Sequence, residues 1–295
     1  MQPDVAVVIL TYNEEANIRQ ALESVCGWAS QVFVFDSNST DRTLAIAKEF
    51  PCEVMQHPFE NYGKQRNAAL DRLPIKTQWV FFLDADEWAP LELKAEISQI
   101  LLGAPEHDAY FVKYRLIWMG RWVRHGYYPT WILRLFRHGK GRCEARGINE
   151  HLVVPGTKGY LKHDLMHEDK RGLGRWVEKH NQYAAREAAE LFALRTSPNG
   201  TRLEGRLFGT QAERKRWIWS NVWTRLPPLV RPFAYFGYRY VGKGGFLDGK
   251  EALVFHVMQG LWYIMLIDAK YLELCQKEAE KKEARVPTIA REETA

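Results

Sequence analysis

Short apolar runs alternate with amphipathic stretches through the first third of the chain. The runs are residues 5–10, 31–35, 53–56 and 79–83. The stretches between them predict helices near residues 15–26, 42–49 and 62–72. Strands that alternate with helices predict an α/β fold, with a mostly parallel sheet covered by helices on both faces. In such sheets ligands bind beyond the carboxyl ends of the strands, which is where we expect the functional residues.

The pattern changes after a predicted helix near residues 91–102. Strand-like runs follow at residues 109–118, 131–137, 148–154 and 159–165. Residues 173–194 are rich in Ala, Glu and Arg and predict a helix. Pro198, Asn199 and two glycines make residues 197–205 the best candidate boundary. We therefore expect one domain over residues 1–196, with halves at 1–102 and 103–196, and a helical region over residues 197–295.

Polar residues follow three of the predicted strands. Residues 11–14 follow the first strand, residues 36–41 follow the second, and Asp84 and Asp86 follow the fourth. Two carboxylates one residue apart offer oxygen ligands to a hard divalent cation such as Mg²⁺ or Mn²⁺. A turn in which the aspartates make local hydrogen bonds is the alternative. The first loop likewise predicts either contacts to a nucleoside or a simple helix cap.

Charge is distributed unevenly, although the formal net charge is only +5. Residues 1–100 hold 8 Lys+Arg against 15 Asp+Glu, whereas residues 201–250 hold 10 Lys+Arg against 3 Asp+Glu and contain ten aromatic residues. The acidic part suits metal binding, and the basic aromatic part suits an anionic membrane surface. A helical cap packed on the sheet domain is the alternative for the basic part. No recognisable reader motif favours nucleic acid as a partner.

The cysteines and the N-terminal sequence favour a cytoplasmic location. The four cysteines are scattered without a close pair, so the sequence predicts neither a zinc knuckle nor a disulfide framework. Residues 1–10 lack a basic leader and a small-residue cleavage site, and we expect a buried strand there. The apolar run at 252–267 is shorter than the roughly 20 residues that cross a bilayer. We expect peripheral attachment to the inner face of the cell membrane.

The loops after the predicted strands, with residues 63–67 before a further helix, resemble the nucleotide-binding half of the family 2 glycosyltransferases, which have the GT-A (Rossmann-like) fold. The resemblance covers roughly the first third of the chain. It implies donor contacts from Thr11, Tyr12 and Glu14 to the nucleoside, from Asp36 to the base, and from Lys64 and Arg66 near the donor. It also implies that Asp84 lies near the ribose or the metal and that Asp86 binds the metal. The second loop departs from the common family form at Phe35, where an aspartate is usual.

Residues 131–137 and 147–152 resemble a subgroup typified by bacterial lipopolysaccharide-core glucosyltransferases. In that subgroup a carboxylate after such a strand is the catalytic base, which makes Glu150 the candidate here. The alternative for Glu150 is a surface glutamate on a hairpin. Arg134, within the first segment, is assigned to donor binding. His167 matches a histidine of the subgroup and is the candidate for a further metal ligand beside Asp86, with a helix-capping turn as its alternative.

The resemblance implies an inverting hexosyltransferase of lipopolysaccharide or polysaccharide biosynthesis. Its donor would be a nucleotide-diphosphate sugar, expected to be a UDP-sugar, with Mg²⁺ or Mn²⁺, and its acceptor a lipid-linked or cell-envelope glycan. A sugar-phosphate nucleotidyltransferase is one alternative, although the glycine-rich basic loop typical of that class is missing after the first strand. A non-catalytic nucleotide- or glycan-binding module is another, and Asp84, Asp86 and Glu150 argue against it.

Overall fold

The chain divides into two units in the computed structural model, which describes residues 2–144, 152–196, 217 and 226–285. The first unit comprises Met1–Trp176 and Gly242–Leu253, and the second comprises Val177–Val241 and Val254–Ala295. The predicted boundary at residues 197–205 lies outside the described residues. The division into domains at 1–196 and 197–295 therefore stays a prediction.

The first hundred residues alternate strands with helices, as the apolar pattern predicts. The elements are β1 (Val5–Thr11), α1 (Ile18–Val25), β2 (Gln31–Asp36), α2 (Thr43–Ala47), β3 (Glu53–Gln56), α3 (Tyr62–Arg72), β4 (Trp79–Asp84), β5 (Glu87–Trp88) and α4 (Leu91–Leu102). The α/β fold class is confirmed. The short strand β5 was not predicted, because two residues are too few to produce a recognisable pattern in the sequence.

Strands dominate the rest of the first unit. They are β6 (Ala109–Trp118), β7 (Arg121–Trp122), β8 (Thr130–Arg137), β9 (Arg142–Cys143), β10 (Leu152–Val153) and β11 (Lys158–His167), and helix α5 (Gly172–Thr196) follows them. The strands predicted at 109–118, 131–137 and 159–165 are confirmed as β6, β8 and β11. Of the run predicted at 148–154, residues 148–151 lie outside the described part of the chain.

A single mixed sheet organises these strands in the order β3-β2-β1-β4-β8-β6-β11-β5, with β7 paired to β6. Strands β3, β2, β1 and β4 are parallel to one another. Strand β8 runs antiparallel between β4 and β6, whereas β11 is parallel to β6. The first half of the sheet is therefore Rossmann-like, and the second half, which extends it, mixes antiparallel and parallel pairs.

Strand β1 lies at the centre because its side chains are apolar on both faces. Val5, Val7 and Ile9 join the core under helices α1 and α4, and Ala6 and Val8 join the core beside α3. Burying each such valine or isoleucine contributes about 1.5–3 kcal/mol. A strand buried on both faces has to be covered by helices on both sides, which is why the helices alternate with the strands.

The second unit is helical in its described residues. It contains most of α5, together with α6 (Arg231–Gly237), a π-helical turn at Tyr238–Gly242, a π-helical stretch at His256–Trp262 and α8 (Tyr263–Arg285); α7 (Gly249–Phe255) begins in the first unit. Its core repeats at three- and four-residue spacing on α5 and α8: Ala184, Ala188, Leu191, Tyr263, Ile267 and Tyr271. The buried carboxylate of Asp268 pairs with the guanidinium of Arg231, so neither charge is buried alone.

One helical stretch among the described residues, Gly245–Lys281, is long and apolar enough to cross a bilayer by length and composition alone. Residues 252–267, the apolar run of the sequence, lie within it. The packed core of a soluble protein meets the same criterion, so the stretch by itself assigns no membrane span.

Candidate active site

The register of the parallel strands brings three polar strand ends together. Thr11 at the end of β1 pairs with Asp36 at the end of β2, and Leu10 pairs with Asp84 at the end of β4. The strands run in the same direction, so all three ends lie along one edge of the sheet. This edge is where the alternating pattern of the sequence predicts a ligand.

The loops after β1 and β2 are hydrogen-bonded to each other. The backbone N–H of Asn13 donates to Ser39 Oγ at 2.8 Å, and that of Thr40 donates to Asn13 Oδ1 at 2.8 Å. The N–H of Glu14 donates to Thr43 Oγ1 at 2.7 Å. Asn13 adopts a left-handed φ of 54°, which asparagine tolerates better than most residues. The two loops therefore form one rigid platform.

Asp36 is a structural centre of this platform. Its side chain is fully buried, and it accepts hydrogen bonds from Thr11 Oγ1 at 2.8 Å, from the Ser39 N–H at 2.8 Å and from Gln56 Nε2 at 3.2 Å. In this conformation both of its oxygens are engaged by the chain itself. Its contact to a nucleotide base stays a prediction. Tyr12, by contrast, is 49% exposed on the platform and offers an aromatic face.

Asp84 lies in a network of two arginines and a second carboxylate. Its oxygens pair with Arg134 Nη2 at 2.5 Å and with Arg66 Nη2 at 3.1 Å. Burial alone raises the pKa of an aspartate, but the guanidinium groups of Arg134 and Arg66 hold the pKa of Asp84 well below its ordinary range. Asp84 is therefore ionised, and its carboxylate is ion-paired with both arginines.

Glu87 is the partner that the sequence did not single out. It is 3% exposed, pairs with Arg134 Nη2 at 2.7 Å and accepts the backbone N–H of Asp84 at 3.0 Å. Burial raises the pKa of Glu87 to about 7, although Arg134 lies beside it. The carboxylate fixes Arg134 in place, so this arginine points at the end of β4.

Asp86 and His167 face each other at the same edge. Their Oδ1 and Nδ1 atoms are 3.6 Å apart, because β5 pairs with β11 and brings His167 opposite Glu87. The Glu168 N–H donates to the Asp86 carbonyl at 2.9 Å and fixes the turn. Carboxylate and imidazole suit a divalent transition cation. Among the described residues no group of three or more metal-ligating side chains occurs.

Glu14 belongs to a second buried network, formed with residues after β11. Its carboxylate pairs with Arg171 Nη1 at 2.5 Å and accepts from Asn17 Nδ2 at 2.8 Å. Arg171 also pairs with Asp169 at 2.6 Å, and this holds the pKa of Asp169 well below its usual range despite partial burial. Arg171 lies 157 positions from Glu14, and no local signal in the sequence points to it.

Other predicted residues lie apart from these networks or outside the described part of the chain. Lys64 is exposed and pairs with Glu60 at 2.5 Å one helical turn away. His163, a second histidine on β11, pairs with Glu96 at 2.9 Å and does not join His167. Glu150 and its neighbour His151 lie outside the described residues. The structure thus gathers Thr11, Glu14, Asp36, Arg66, Asp84, Asp86, Arg134 and His167 at one edge.

The mixed sheet, with its Rossmann-like half and its site at the carboxyl edge, has the GT-A architecture. The sequence profile of Glycosyl transferase family 2 matches residues 6–165, which is more than half of the chain. The chain belongs to glycosyltransferase family 2. This confirms the resemblance at the level of the family, whereas the lipopolysaccharide-core subgroup stays a prediction.

The chain is similar in sequence to uncharacterised glycosyltransferases of Rickettsia species. One from Rickettsia typhi is 27% identical over 257 residues, covering 83% of this chain and 81% of that protein. One from Rickettsia bellii is 34% identical over 112 residues, and the match covers 38% of this chain and 37% of that relative's length. Among solved structures, a mannosyltransferase from Pyrobaculum calidifontis aligns with a TM-score of 0.49 at 15% identity over 92% of this chain and 88% of that chain.

The buried carboxyl of Glu14 makes stability depend on pH. Burial raises its pKa from 4.5 to about 7, so its contribution to the free energy of unfolding is present below pH 4.5 and is lost as pH rises through 7. Glu14→Gln removes this titration. We expect the variant to gain stability relative to the parent between about pH 5 and pH 7, measured by urea unfolding in a chelator.

Glu23→Gln is the matched control, because Glu23 is exposed on the adjacent helix α1. The stability difference between this control and the parent should stay constant over the same pH range. Parallel pH curves for Glu14→Gln and the parent would contradict the assignment.

Proposed function

We propose that this protein is an inverting glycosyltransferase that moves a hexosyl group from a nucleotide-diphosphate sugar to a lipid-linked or cell-envelope glycan. The observation that carries the proposal is the pairing of Asp86 with His167 beside Arg66 and Arg134 at the carboxyl edge. A divalent cation and two guanidinium groups are the chemistry that a diphosphate requires. Membership of family 2 supports the same reaction class.

The donor would lie across the platform after β1 and β2. Tyr12 is exposed there to cover the base, and Thr11, Glu14 and Asp36 hold the loop that forms the nucleoside site. Arg66 and Arg134 provide planar donors for phosphate oxygens, since guanidinium groups match phosphate in a bidentate geometry. Lys64, at the start of α3, adds an exposed charge to the approach. We propose a UDP-sugar as donor, as the family resemblance implies.

Asp86 and His167 would hold the metal, and Asp84 would orient Arg66 and Arg134 beside it. Imidazole suits Mn²⁺ better than Mg²⁺, which strongly prefers oxygen ligands, so we propose Mn²⁺ as the preferred ion. When bound, the cation would offset the negative charge on the leaving diphosphate.

Glu150 is the proposed general base. It would accept the proton of the acceptor hydroxyl while that oxygen attacks the anomeric carbon in line, the bond to the diphosphate breaks and the nucleoside diphosphate leaves. General-base catalysis of this kind contributes about 10²- to 10⁴-fold. Glu168 and Asp169 are the nearest other carboxylates in the sequence that could take this role. Asp169 is paired with Arg171, which lowers its pKa and makes it a weak base, so Glu168 is the alternative.

A face of the second unit supports attachment to a membrane. Phe233, Tyr238 and Val241 are 58%, 57% and 65% exposed, whereas Arg231 and Arg239 are only 2% and 3% exposed. The guanidinium of Arg239 lies 5.3 Å from the Tyr235 ring centroid and 5.4 Å from that of Phe255. A helix in water places its charges outside and its aromatic residues inside. This inverted arrangement suits a neighbour that is less polar than water.

A lipid surface fits this inverted face by its chemistry. Every exposed residue between positions 227 and 242 is uncharged, and exposed Lys243 follows directly in the chain. Residues 201–250 carry an excess of basic residues. Aromatic rings settle at the headgroup boundary while cations meet anionic lipid. We therefore propose peripheral attachment to the cytoplasmic face of the membrane, where a lipid-linked acceptor would be presented.

Replacement of Asp86 tests the metal site. Asp86→Asn keeps the size of the side chain and removes the charged ligand, so Mn²⁺-dependent affinity for UDP should fall by about 10- to 100-fold or more. Isothermal titration calorimetry with and without Mn²⁺ measures this. Glu92→Gln, at an exposed position on α4, should bind like the parent. Equal UDP affinity of Asp86→Asn and the parent with Mn²⁺ would remove Asp86 from the site.

Replacement of Glu150 tests the base. An amide cannot accept the hydroxyl proton, so Glu150→Gln should keep donor affinity and lower turnover by about 10²-fold or more. The assay is release of nucleoside diphosphate from a panel of nucleotide sugars with a membrane-extracted acceptor fraction. Transfer at the parent's rate would move the role to Glu168. Release of pyrophosphate would indicate a nucleotidyltransferase, and donor binding without release would indicate a binding module.

Replacement of Phe233 tests the lipid face. Phe233→Ser removes an apolar side chain from the exposed face. Because this side chain would no longer be buried in lipid, the affinity for vesicles should fall by about 10-fold or more. Co-sedimentation with anionic and neutral vesicles at two salt concentrations measures this. Leu91→Ser, at a position on α4 that is 76% exposed, should bind like the parent. Equal binding of Phe233→Ser and the parent, or no preference for anionic vesicles, would contradict the proposal.

A further inference from the structure

A strip of cations and aromatic rings lies on the outer strands of the first unit, apart from the proposed donor site. Lys113 and Arg115 occupy alternate positions on β6, and side chains at alternate positions of a strand point to the same face. Tyr114, between them, points to the other face, where its ring lies 5.6 Å from that of His167. The strip and the proposed metal ligand therefore lie on opposite faces of the same strands.

The cations of the strip lie over aromatic rings. Arg115 Cζ and Arg124 Cζ lie 4.2 Å and 5.4 Å from the ring centroid of Trp122. Lys113 Nζ lies 5.4 Å from the ring of Trp131. The strip continues through a smaller set of rings, each partly or mostly exposed: Tyr128, Phe111 and Tyr160. Partly exposed rings in a row provide flat apolar surface to which the carbon face of a sugar ring can pack.

The strip carries an excess of positive charge. Asp164 is a half-buried carboxylate on β11. It pairs with Arg115 at 2.9 Å and with Lys113 at 3.4 Å, and it accepts a hydrogen bond from the Tyr128 hydroxyl at 2.9 Å. Arg124 adds a third cation and is exposed. The three cations outnumber the two carboxylates beside them, Asp164 and Asp248, so positive charge remains beside the rings, and such a site attracts anions.

The loop that carries Arg124 is held in place by a residue far along the chain. The buried carboxylate of Asp248 accepts the backbone N–H groups of Arg124 at 2.7 Å and His125 at 2.6 Å, and its other oxygen lies 2.6 Å from His125 Nδ1. Asp248 belongs to the Gly-Phe-Leu-Asp-Gly segment at 245–249. A side chain on a fixed loop loses less freedom when it binds, so Arg124 is prepared for a ligand.

We propose that this strip, defined by Lys113, Arg115, Trp122, Arg124 and Trp131, is an acceptor subsite for a sugar that carries a carboxylate or a phosphate group. Its rings would pack against the sugar, and Arg115 and Arg124 would bind the anionic group with guanidinium forks. Arg115 pairs with Met166, the residue before His167, so the strip reaches the same end of β11 as the proposed metal pair but on the other face of the sheet. An acceptor of more than one sugar would place its anionic sugar on the strip and extend around the sheet edge to the donor. This inference rests on the proposed glycosyl transfer and names the chemical class of its acceptor.

Fluorine NMR of the full chain, labelled with 5-fluorotryptophan, tests the subsite directly. The Trp122→Phe variant assigns the Trp122 signal. Saturating UDP with Mg²⁺, which is diamagnetic and does not broaden the fluorine signals, keeps the donor site occupied throughout. Glucose 6-phosphate, glucuronate and glucose are titrated as probes. The two anionic sugars should shift the Trp122 signal, and glucose should bind at least about 10-fold more weakly because it lacks the charged group. The anionic sugar that binds with the higher affinity shows whether the subsite prefers a phosphate or a carboxylate group.

Arg124→Gln is the decisive variant, because it removes the exposed cation while the backbone N–H can still reach Asp248. This variant should lower the affinity for the anionic probes by about 10-fold and leave the affinity for glucose unchanged. Arg121→Gln is the matched control: Arg121 lies on β7 of the same hairpin, its side chain is 52% exposed, and it faces Glu251 at 3.8 Å. The control should bind every probe like the parent.

Equal affinity for glucose and the anionic sugars, or undiminished anion binding by Arg124→Gln, would overturn the subsite. The proposed function is tested separately by calorimetric titration of UDP with Mn²⁺ and by nucleotide release. If UDP binds and is released from donor while the anionic sugars leave Trp122 unaffected, the subsite fails and the glycosyl transfer stands. If neither UDP nor any nucleotide sugar is bound, the proposed function fails.

Discussion

The parallel pairing of β1 with β2 and β4 is the constraint on which the rest of the site depends. It sets the ends of three strands side by side, so that Thr11 meets Asp36 and Leu10 lies opposite Asp84. A shift of register by one residue would turn Val5, Val7 and Ile9 to the other face and break both helix-covered cores. The packing of β1 on both faces therefore fixes the position of the polar loops as well as the fold.

Charge compensation is the second requirement of this edge. Glu14, Asp84 and Glu87 are partly or fully removed from water, and burying a carboxylate is costly unless a cation or donor is supplied. Arg66, Arg134 and Arg171 meet this need. The arginines that neutralise the carboxylates of the site are among the groups proposed to meet the diphosphate. Stability and donor binding thus use the same charges.

Two surface regions differ from the usual surface of a soluble protein, and each supports one of the proposed partners, lipid or an anionic acceptor. On the stretch 227–242 the two arginines are buried, whereas Phe233 and Tyr238 are exposed. On the strip the three cations lie over partly exposed rings and outnumber the two carboxylates beside them. The first arrangement suits a surface without water and the second suits a charged sugar, so the two regions make distinct chemical demands on their ligands.

The sequence by itself determined the alternation of β1 to β4 with their helices, the strands β6, β8 and β11, and the polar loops at Thr11, Asp36 and Asp84. These follow from apolar periodicity and from strand ends, which are local properties of the chain. Only the tertiary structure decided that Arg134 reaches Glu87, 47 positions away, that Arg171 reaches Glu14, and that Asp248 holds the loop of Arg124. Such pairs form only where the fold brings distant strands and loops together. The charge of a side chain does not indicate which distant residue will be its partner.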